Sequence, residues 1–370
     1  MSAEDQSLLE RVEIPHIPKE VAQKISNLQD QFIRAEVEQL RKSVPLFKPL
    51  FEKRNEIISS PEVQNDFWIR VFSSAPAEID EYILPTDAAV IGSALKNMKV
   101  ERFEVDAEGN GEPRSLRFTF DFHTSEEENP FFTNSQLVKD FYWRKQSIKT
   151  SSGKVRTWEG LVSEPVRINW KKDMDLTKGL LDAACDLAEA EKKKGGDRTK
   201  LPEYEALVKK LEIAEAEGMK DEGMKDEGED DEDDEEGIES PAGTSFFAFF
   251  GYRGRDVSAE QNKEACKLDD ERYAKILKGE QVDDDEDDED EDDELIDDLE
   301  DAEIFPDGEE LAIAIAEDLW TDAMKYYVES FEMGDELDDL DVSEIDADEM
   351  VEDDDNEGDE TSRPRKKARN

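Results

Sequence analysis

The chain has 370 residues, of which 40% are charged, and its formal net charge at pH 7 is −54. Such a charge disfavours a protein whose main activity is nucleic-acid binding, because the phosphate backbone would repel it. No apolar stretch approaches the roughly 18 residues of a membrane-spanning helix, so we expect no membrane contact.

The acidity lies almost entirely in the second half of the chain. Residues 1–180 contain 25 Lys and Arg against 30 Asp and Glu, which leaves −49 for residues 181–370. The near-neutral first half is rich in phenylalanine and favours a folded core. The acidic half needs a cationic partner or a large solvated surface.

A long helix is predicted over residues 18–60, after a flexible arm at residues 1–17. Apolar residues recur along this helix at spacings of three and four. A helix of about 40 residues rises about 60 Å, which exceeds the width of a small domain. The uncovered apolar stripe therefore predicts a coiled-coil-like homodimer. The residues expected at the dimer interface are Ile25, Leu28, Phe32, Val37, Leu40, Val44, Phe47 and Phe51.

Two prolines, Pro45 and Pro49, leave an alternative open. A proline inside a helix removes one hydrogen bond and clashes with the preceding turn. The chain could therefore form an internal helical hairpin that breaks at these residues. If the helix continues instead, we expect a kink near residues 44–49.

The region after the long helix, residues 61–330, is predicted to be one α+β domain with a four-stranded antiparallel sheet and flanking helices. The clearest strand is 115–122, in which Phe118, Phe120 and Phe122 alternate with polar residues. The other predicted strands are residues 99–105, 137–145 and 165–171, and residues 106–113 are predicted to form a turn.

Two charged stretches of this domain, about 182–240 and 254–304, are predicted to be mobile insertions, because their apolar faces are thin. Residues 283–303 alone contain 17 acids among 21 residues. Beyond the domain, residues 331–362 are predicted to be an acidic disordered tail.

Two apolar segments, 244–252 and 308–330, separate these acidic stretches and are expected to be buried. The second segment has the spacing of a short amphipathic helix. Asp307 is predicted to cap that helix, with Glu310 as its capping-box partner.

Catalytic and metal sites are not expected. Cys185 and Cys266 stand far apart, as do His16 and His123, which disfavours a disulfide, a zinc site and a histidine-dependent triad. The acid runs lack the glycine that a calcium-binding loop needs at its sixth position. We therefore predict a protein that is not an enzyme and needs no cofactor or metal.

Basic residues form two local clusters. The first is expected to support at most weak nucleic-acid contact, and comprises Arg144, Lys145, Lys149, Lys154 and Arg156. The second, in the basic tail 363–370, predicts recognition by a nuclear import adaptor, the alternative being a counter-ion for the acidic tail. Its cations are Arg363, Arg365, Lys366, Lys367 and Arg369. We expect the protein in the nucleus, with exchange to the cytoplasm left open.

Five segments carry a family resemblance as a set, although each is weak alone. They are PLFEKRNEIISSPEVQNDFWIRVFSSAP (49–76), ENPFFTNSQLVKDF (128–141), INWKKDMDLTKG (168–179), SFFAFFGY (245–252) and ELAIAIAEDLWTDAMKYYV (310–328). In this order they resemble motifs of the nucleosome assembly protein (NAP) family, and among its branches the SET (template-activating factor) type.

The resemblance implies a NAP-like fold, in which a long dimerisation helix carries an α+β "earmuff" domain. It also implies a histone chaperone that binds core histones through an acidic concave surface and acidic segments, and promotes nucleosome assembly and disassembly. Candidate histone contacts are Glu126, Glu127 and Glu128 beside the NPFF motif, and Asp173 and Asp175 in the DLTK turn. Ordinary turn acids are the alternative interpretation of both groups.

Two further hypotheses for the function stay open at this point. One is a regulatory cofactor or inhibitor of a histone-modifying enzyme, such as an acetyltransferase, or of a phosphatase, since some relatives have such roles. The other is an acidic scaffold that binds basic proteins without selectivity.

Overall fold

The computed structural model describes residues 17–149, 155–195, 197–223, 244–278 and 302–339. The predicted N-terminal arm before residue 17, most of the acid run 283–303 and the tail from residue 340, with the import residues, lie outside this range. The chain divides into two units, residues 1–330 and 331–370. In the second unit, residues 331–339 are described and are helical.

The long N-terminal helix, α1, spans Lys19–Ile58 and confirms the predicted long helix. It is continuous through Pro45 and Pro49, so the alternative of a broken hairpin is wrong. Both prolines lie on the exposed side of the helix, where water can bond the carbonyl groups that lose a helical partner.

The C-terminal end of α1 is attached to the domain. Ile58 is buried, and the buried guanidinium of Arg54 donates to the main-chain oxygen of Trp320. The same guanidinium carbon lies 3.9 Å from the centre of the Trp320 ring, and the Phe51 ring lies 5.4 Å from that ring. Burial lowers the pKa of Arg54 to about 10, so the group stays charged at neutral pH.

Three short helices follow: α2 at Phe67–Ser73, α3 at Ala77–Asp80 and α4 at Pro85–Ala94. The sheet comes next, with β1 at Leu95–Glu101, β2 at Leu116–Phe122, β3 at Gln136–Lys149 and β4 at Val155–Ser163. All neighbours are antiparallel and the strand order is β1-β2-β3-β4. The α+β class and the four-stranded antiparallel sheet are therefore confirmed.

The first and last predicted strands are wrong in position. β1 begins at Leu95, four residues before the prediction, because the chain passes directly from α4 into the strand. The predicted strand 165–171 is an extended segment with one isolated bridge, between Phe132 and Trp170. The fourth strand is Val155–Ser163, which pairs with β3 from Lys149 back to Phe141.

The core lies on one face of the sheet. Phe118 and Phe120 of β2 are buried there, and their rings contact Phe249 and Phe250 edge-on at 5.7 and 5.4 Å. The two contacting rings belong to a short 3₁₀ segment, Phe246–Gly251, all of which is buried. The apolar segment 244–252 is thus buried as predicted.

Parts of both predicted mobile insertions are helical instead. The first contains α5 at Leu180–Lys194, a 3₁₀ turn at Arg198–Lys200 and α6 at Pro202–Gly223. The second contains α7 at Ala259–Leu277. α5 buries eight residues, among them Leu180, Leu181 and Leu187, so the thin apolar face expected for this stretch is wrong. α7 buries Ala265, and charged pairs such as Asp269 with Arg34 and Lys145 contribute to its packing.

The final elements are α8 at Gly308–Ala314, one π-helical turn at Ile315–Leu319 and α9 at Ala323–Asp339. Leu311, Ile315 and Leu319 are buried as predicted. Asp307 is the residue before the first turn of α8, but its side chain forms no capping hydrogen bond, so the predicted capping box is wrong.

Candidate functional site

Two loops that carry the candidate acids lie side by side. The main-chain nitrogen of Lys171 donates to the oxygen of Phe131 over 2.8 Å, and Thr133 donates to the oxygen of Asn169 over 3.0 Å. Together with the bridge between Phe132 and Trp170, these bonds place the loop after β2 next to the segment that leads to the DLTK turn.

Lys171 joins the two loops through its side chain. Its ammonium nitrogen lies 2.8 Å from a carboxylate oxygen of Glu126 and 2.7 Å from the main-chain oxygen of Asn129. The Glu126 side chain is 83% exposed, so the carboxylate remains available to a second cation. We define the acidic surface as residues 126–128 together with residues 171–175.

Buried Asn129 fixes the first loop of the acidic surface. Its side-chain oxygen accepts from the nitrogens of Phe131 and Phe132, each over 3.2 Å, and its amide nitrogen donates to the oxygen of His123. Glu128 accepts from the hydroxyl of Ser125 over 2.5 Å and lies 3.4 Å from His123 Nδ1. His123 is thus part of a structural network, and Glu128 already has local partners.

The two acids of the DLTK turn differ in what they do. Asp175 accepts three hydrogen bonds, from the nitrogen and hydroxyl of Thr177 and from the nitrogen of Gly179, over 2.7–2.9 Å. Those bonds shape the turn. Asp173 has φ of 62° and an 82% exposed side chain, and its nearest described cation is Lys172 at 3.7 Å. Asp173 is therefore the acid of this turn that faces solvent.

The structure thus brings the two predicted groups of acids together. Within them, some acids face solvent and others form the hydrogen bonds that hold the loops. Glu126, Glu127 and Asp173 belong to the first class, and Glu128 and Asp175 to the second. Lys171 and Asn129 were missed from the sequence. The only signal for Lys171 was a cation beside a cluster of acids, and Asn129 gave none.

A second surface is the uncovered apolar face of α1. In the single chain, Leu28, Phe32 and Phe47 are 52%, 62% and 50% exposed, and Ile25 is exposed as well. Val37, Leu40 and Val44 are half-buried. Phe51, by contrast, packs against Trp320 of its own chain. Apolar side chains of this size are rarely left in water over such a length.

The first basic cluster is largely neutralised where it is described. Arg144 pairs with Glu104 at 3.1 Å, and Lys145 pairs with Glu159 and Asp269, each at 3.0 Å. Lys154 lies outside the described residues. No helix in the described part of the chain is long and apolar enough to cross a membrane. Within the same residues, no three His, Cys, Asp or Glu side chains are grouped as metal ligands would be.

Comparison with known proteins gives two curated relatives. A protein named as a nucleosome assembly protein of Schizosaccharomyces pombe is 34% identical over 152 residues, 41% of this chain and 58% of that protein. Protein SET of Drosophila melanogaster is 30% identical over 136 residues, 37% of this chain and 43% of that protein. The matched stretches therefore span about half the length of these relatives.

The chain is also similar to solved structures and to a family model. The crystal structure of Ccp1 is 24% identical with a TM-score of 0.45, and the match covers 84% of this chain and 96% of that chain. The family model described as nucleosome assembly protein (NAP) matches residues 60–330, which is more than half of the sequence and includes the sheet and the acidic surface. The chain belongs to the nucleosome assembly protein family.

Proposed function

We propose that this protein is a histone chaperone that acts as a homodimer, binds core histones and promotes nucleosome assembly and disassembly. The observation that carries the proposal is the acidic surface, in which Glu126, Glu127 and Asp173 face solvent on two loops that Lys171 holds together. The proposed activity is binding and transfer, and it needs no catalytic group or cofactor.

The physical basis is competition for cations. Histones carry many Lys and Arg side chains, and they bind DNA phosphates without order. A chain with net charge −54 screens those cations, and electrostatic attraction makes the encounter fast and sensitive to salt. The acidic surface offers a fixed pattern of charge, whereas the acid runs of the sequence offer many interchangeable contacts.

The homodimer is proposed to form through α1. The exposed side chains of Ile25, Leu28, Phe32 and Phe47 lie on one face of a helix of 40 residues, and pairing with a second copy would remove them from water. Val37, Leu40 and Val44 extend the same face. Phe51 is proposed to lie at the margin of the interface, because its ring already contacts Trp320 of the same chain.

The cellular site is proposed to be the nucleus. Arg363, Arg365, Lys366, Lys367 and Arg369 would be read by an import adaptor, although these residues lie outside the described range. A fusion of residues 355–370 to a cytoplasmic reporter tests this part, and a reporter that stays in the cytoplasm would contradict it.

The experiment that tests histone binding compares two triple variants of equal charge change. The first, Glu126→Gln, Glu127→Gln and Asp173→Asn, alters the acidic surface. The control, Glu260→Gln, Glu264→Gln and Glu271→Gln, removes three exposed acids from α7. We expect the first variant to lose at least tenfold in affinity for core histone dimers in a pull-down at 150 mM salt, and the control less than threefold. Equal losses would show that only total charge matters, and would contradict a defined surface.

A further inference from the structure

A small cavity of about 180 Å³ lies between the end of β4, residues 253–257 and the first residue of α7. Three arginines line it: Arg144, Arg253 and Arg255. Tyr142 and Val162 form part of its wall. Several guanidinium groups around one small cavity are unusual in a protein of net charge −54, where arginine is more often scattered among surface acids.

The turn that carries two of these arginines is held rigidly. Gly254, between them, has φ of +65°, and a Cβ there would lie 2.7 Å from the main-chain oxygen of Leu161, so only glycine fits. The nitrogens of Arg253 and Gly254 donate to the buried carboxylate of Glu303 over 3.0 and 3.1 Å. Ser163 donates from its nitrogen to the oxygen of Arg253 over 2.7 Å. The cavity wall is therefore fixed before any ligand arrives.

Each of two cavity arginines is paired with one carboxylate and keeps further donors. Arg253 donates through its two terminal nitrogens to Glu191 over 3.0 and 2.9 Å. Arg144 donates to the two oxygens of Glu104 over 3.1 and 3.4 Å, and to the main-chain oxygen of Trp143 over 2.9 Å. A guanidinium has five N–H groups, so neither pairing exhausts the donors. Both side chains are nearly buried, at 12% and 13% exposure, where water competes weakly for them.

The acids at the cavity have cations of their own. Glu164 lies 3.2 Å from Lys192, and Asp256 lies 2.6 Å from Arg198. Both carboxylates are more than half exposed, so their repulsion of an anion in the cavity is screened by solvent and by these partners. Glu191 and Glu104 offset much of the charge of Arg253 and Arg144, so an anion in the cavity would be held by the N–H donors that these pairings leave.

We propose that this cavity binds a small dianionic oxyanion of the phosphate class. Tetrahedral oxygens can accept from Arg144 and Arg253 at once, and the planar fork of arginine matches phosphate oxygens in pairs. The volume admits one such group. The site is separate from the acidic surface, so it neither requires nor supports the proposed histone binding. The group can be free phosphate or a phosphoryl group on a peptide.

The test is calorimetric titration of the full chain with inorganic phosphate at constant ionic strength, and then with a phosphoserine peptide and its unphosphorylated form. Arg144→Gln removes one guanidinium, and Val162→Phe fills the cavity without altering charge. Arg167→Gln is the control, because Arg167 lies outside the cavity and pairs with Asp182 and Asp186 at 2.7 Å. Thermal unfolding is measured for each variant to establish that it is folded.

We expect both cavity variants to bind phosphate at least tenfold more weakly than wild type and the control to bind within twofold. Similar affinity for phosphate and the phosphopeptide would identify free phosphate as sufficient, and a peptide bound at least tenfold more tightly than phosphate would identify a phosphorylated segment. Both results support the proposal. It is overturned if neither probe binds at 10 mM, or if all three variants lose affinity equally, which would indicate general attraction to arginine.

Discussion

The ammonium nitrogen of Lys139 lies 2.6 Å from the main-chain oxygen of Tyr252. Lys139 is fully buried on the core face of β3, and it also donates to the oxygens of Glu164 and Phe250, over 2.8 and 3.1 Å. One side chain therefore fixes the sheet, the end of β4 and the aromatic 3₁₀ segment to each other. Removal from water lowers the pKa of Lys139 to about 7, although the charge of nearby Glu303 opposes this shift.

The first prediction concerns the stability that Lys139 provides. Lys139→Met keeps most of the volume but removes the described donor to Tyr252. We expect the free energy of unfolding to fall by about 2 kcal/mol, the usual cost of leaving a buried acceptor without a donor. Urea unfolding at pH 8 measures it. Lys99→Met, on the exposed side of β1, is the control and should change stability by less than about 0.5 kcal/mol. Equal effects would contradict the structural role of Lys139.

A second prediction uses the pH dependence of the same residue. Because the folded-state pKa is about 7 and that of an unfolded lysine is near 10.4, the unfolded chain binds more protons between these values. The Lys139 contribution to the free energy of unfolding therefore rises with pH above about 7, by at most about 1.4 kcal/mol per pH unit. The difference between wild type and Lys139→Met should grow from pH 7 to pH 9. A difference that is constant over this range would contradict the lowered pKa.

Lys139 also shows where sequence analysis stops. It occupies the inward position between Leu137 and Phe141, within the strand that was predicted at 137–145. Lysine is almost never fully buried, however, so its role could not be predicted. The error in the last strand has a similar source. Val166, Ile168 and Trp170 alternate as strand residues do, yet they pack as an extended loop. The real β4 contains Gly160, whose missing side chain makes room for Trp158 and Glu309.

The third prediction concerns a junction of three elements at Asp269 of α7. Its carboxylate lies 2.7 Å from Arg34 of α1 and 3.0 Å from Lys145 of β3. Asp269→Asn should lower the free energy of unfolding by about 1 kcal/mol at low salt, since it weakens two partly buried pairs. Asp270→Asn is the matched control, because Asp270 also pairs with Arg34 but is 73% exposed. The loss should shrink in 0.5 M salt, and an equal loss from both variants would contradict the junction.

This junction also explains why the sequence predicts a mobile insertion where α7 forms. The helix buries little apolar area, with Ala265 as its buried residue. Its contacts to α1 and β3 include the charged pairs of Asp269, a hydrogen bond from the nitrogen of Lys145 to Asn262 over 2.7 Å, and Arg34 over the Tyr273 ring. The spacing of apolar residues along the sequence indicates apolar faces, but it does not predict ion pairs between distant residues. The long helix and the FFAFFG segment were predictable because large apolar side chains determined them.

The fourth prediction compares the stability that Lys171 gains from its ion pair with Glu126 and from its hydrogen bond to the main-chain oxygen of Asn129. Glu126→Gln should change the free energy of unfolding by less than about 0.5 kcal/mol, since an exposed ion pair contributes little. Lys171→Met should lower it by about 1 kcal/mol, because the oxygen of Asn129 also loses a donor. Urea unfolding of both variants measures the comparison. If the two changes had equal effects, the bond to Asn129 would have no part in holding the loops together.

The last prediction tests the apolar face of α1. Phe32→Asp places a charge at a position that is 62% exposed in the single chain, so the fold of the protomer should survive. In a dimer that buries this position, an unpaired charge is costly, and we expect a monomer by light scattering at 10 μM with an unchanged helical circular dichroism signal. Gln31→Asp, at an exposed position about 100° around the helix from Phe32, is the control and should remain dimeric. If the Phe32→Asp protein still had the mass of a dimer, pairing through this face of α1 would be contradicted.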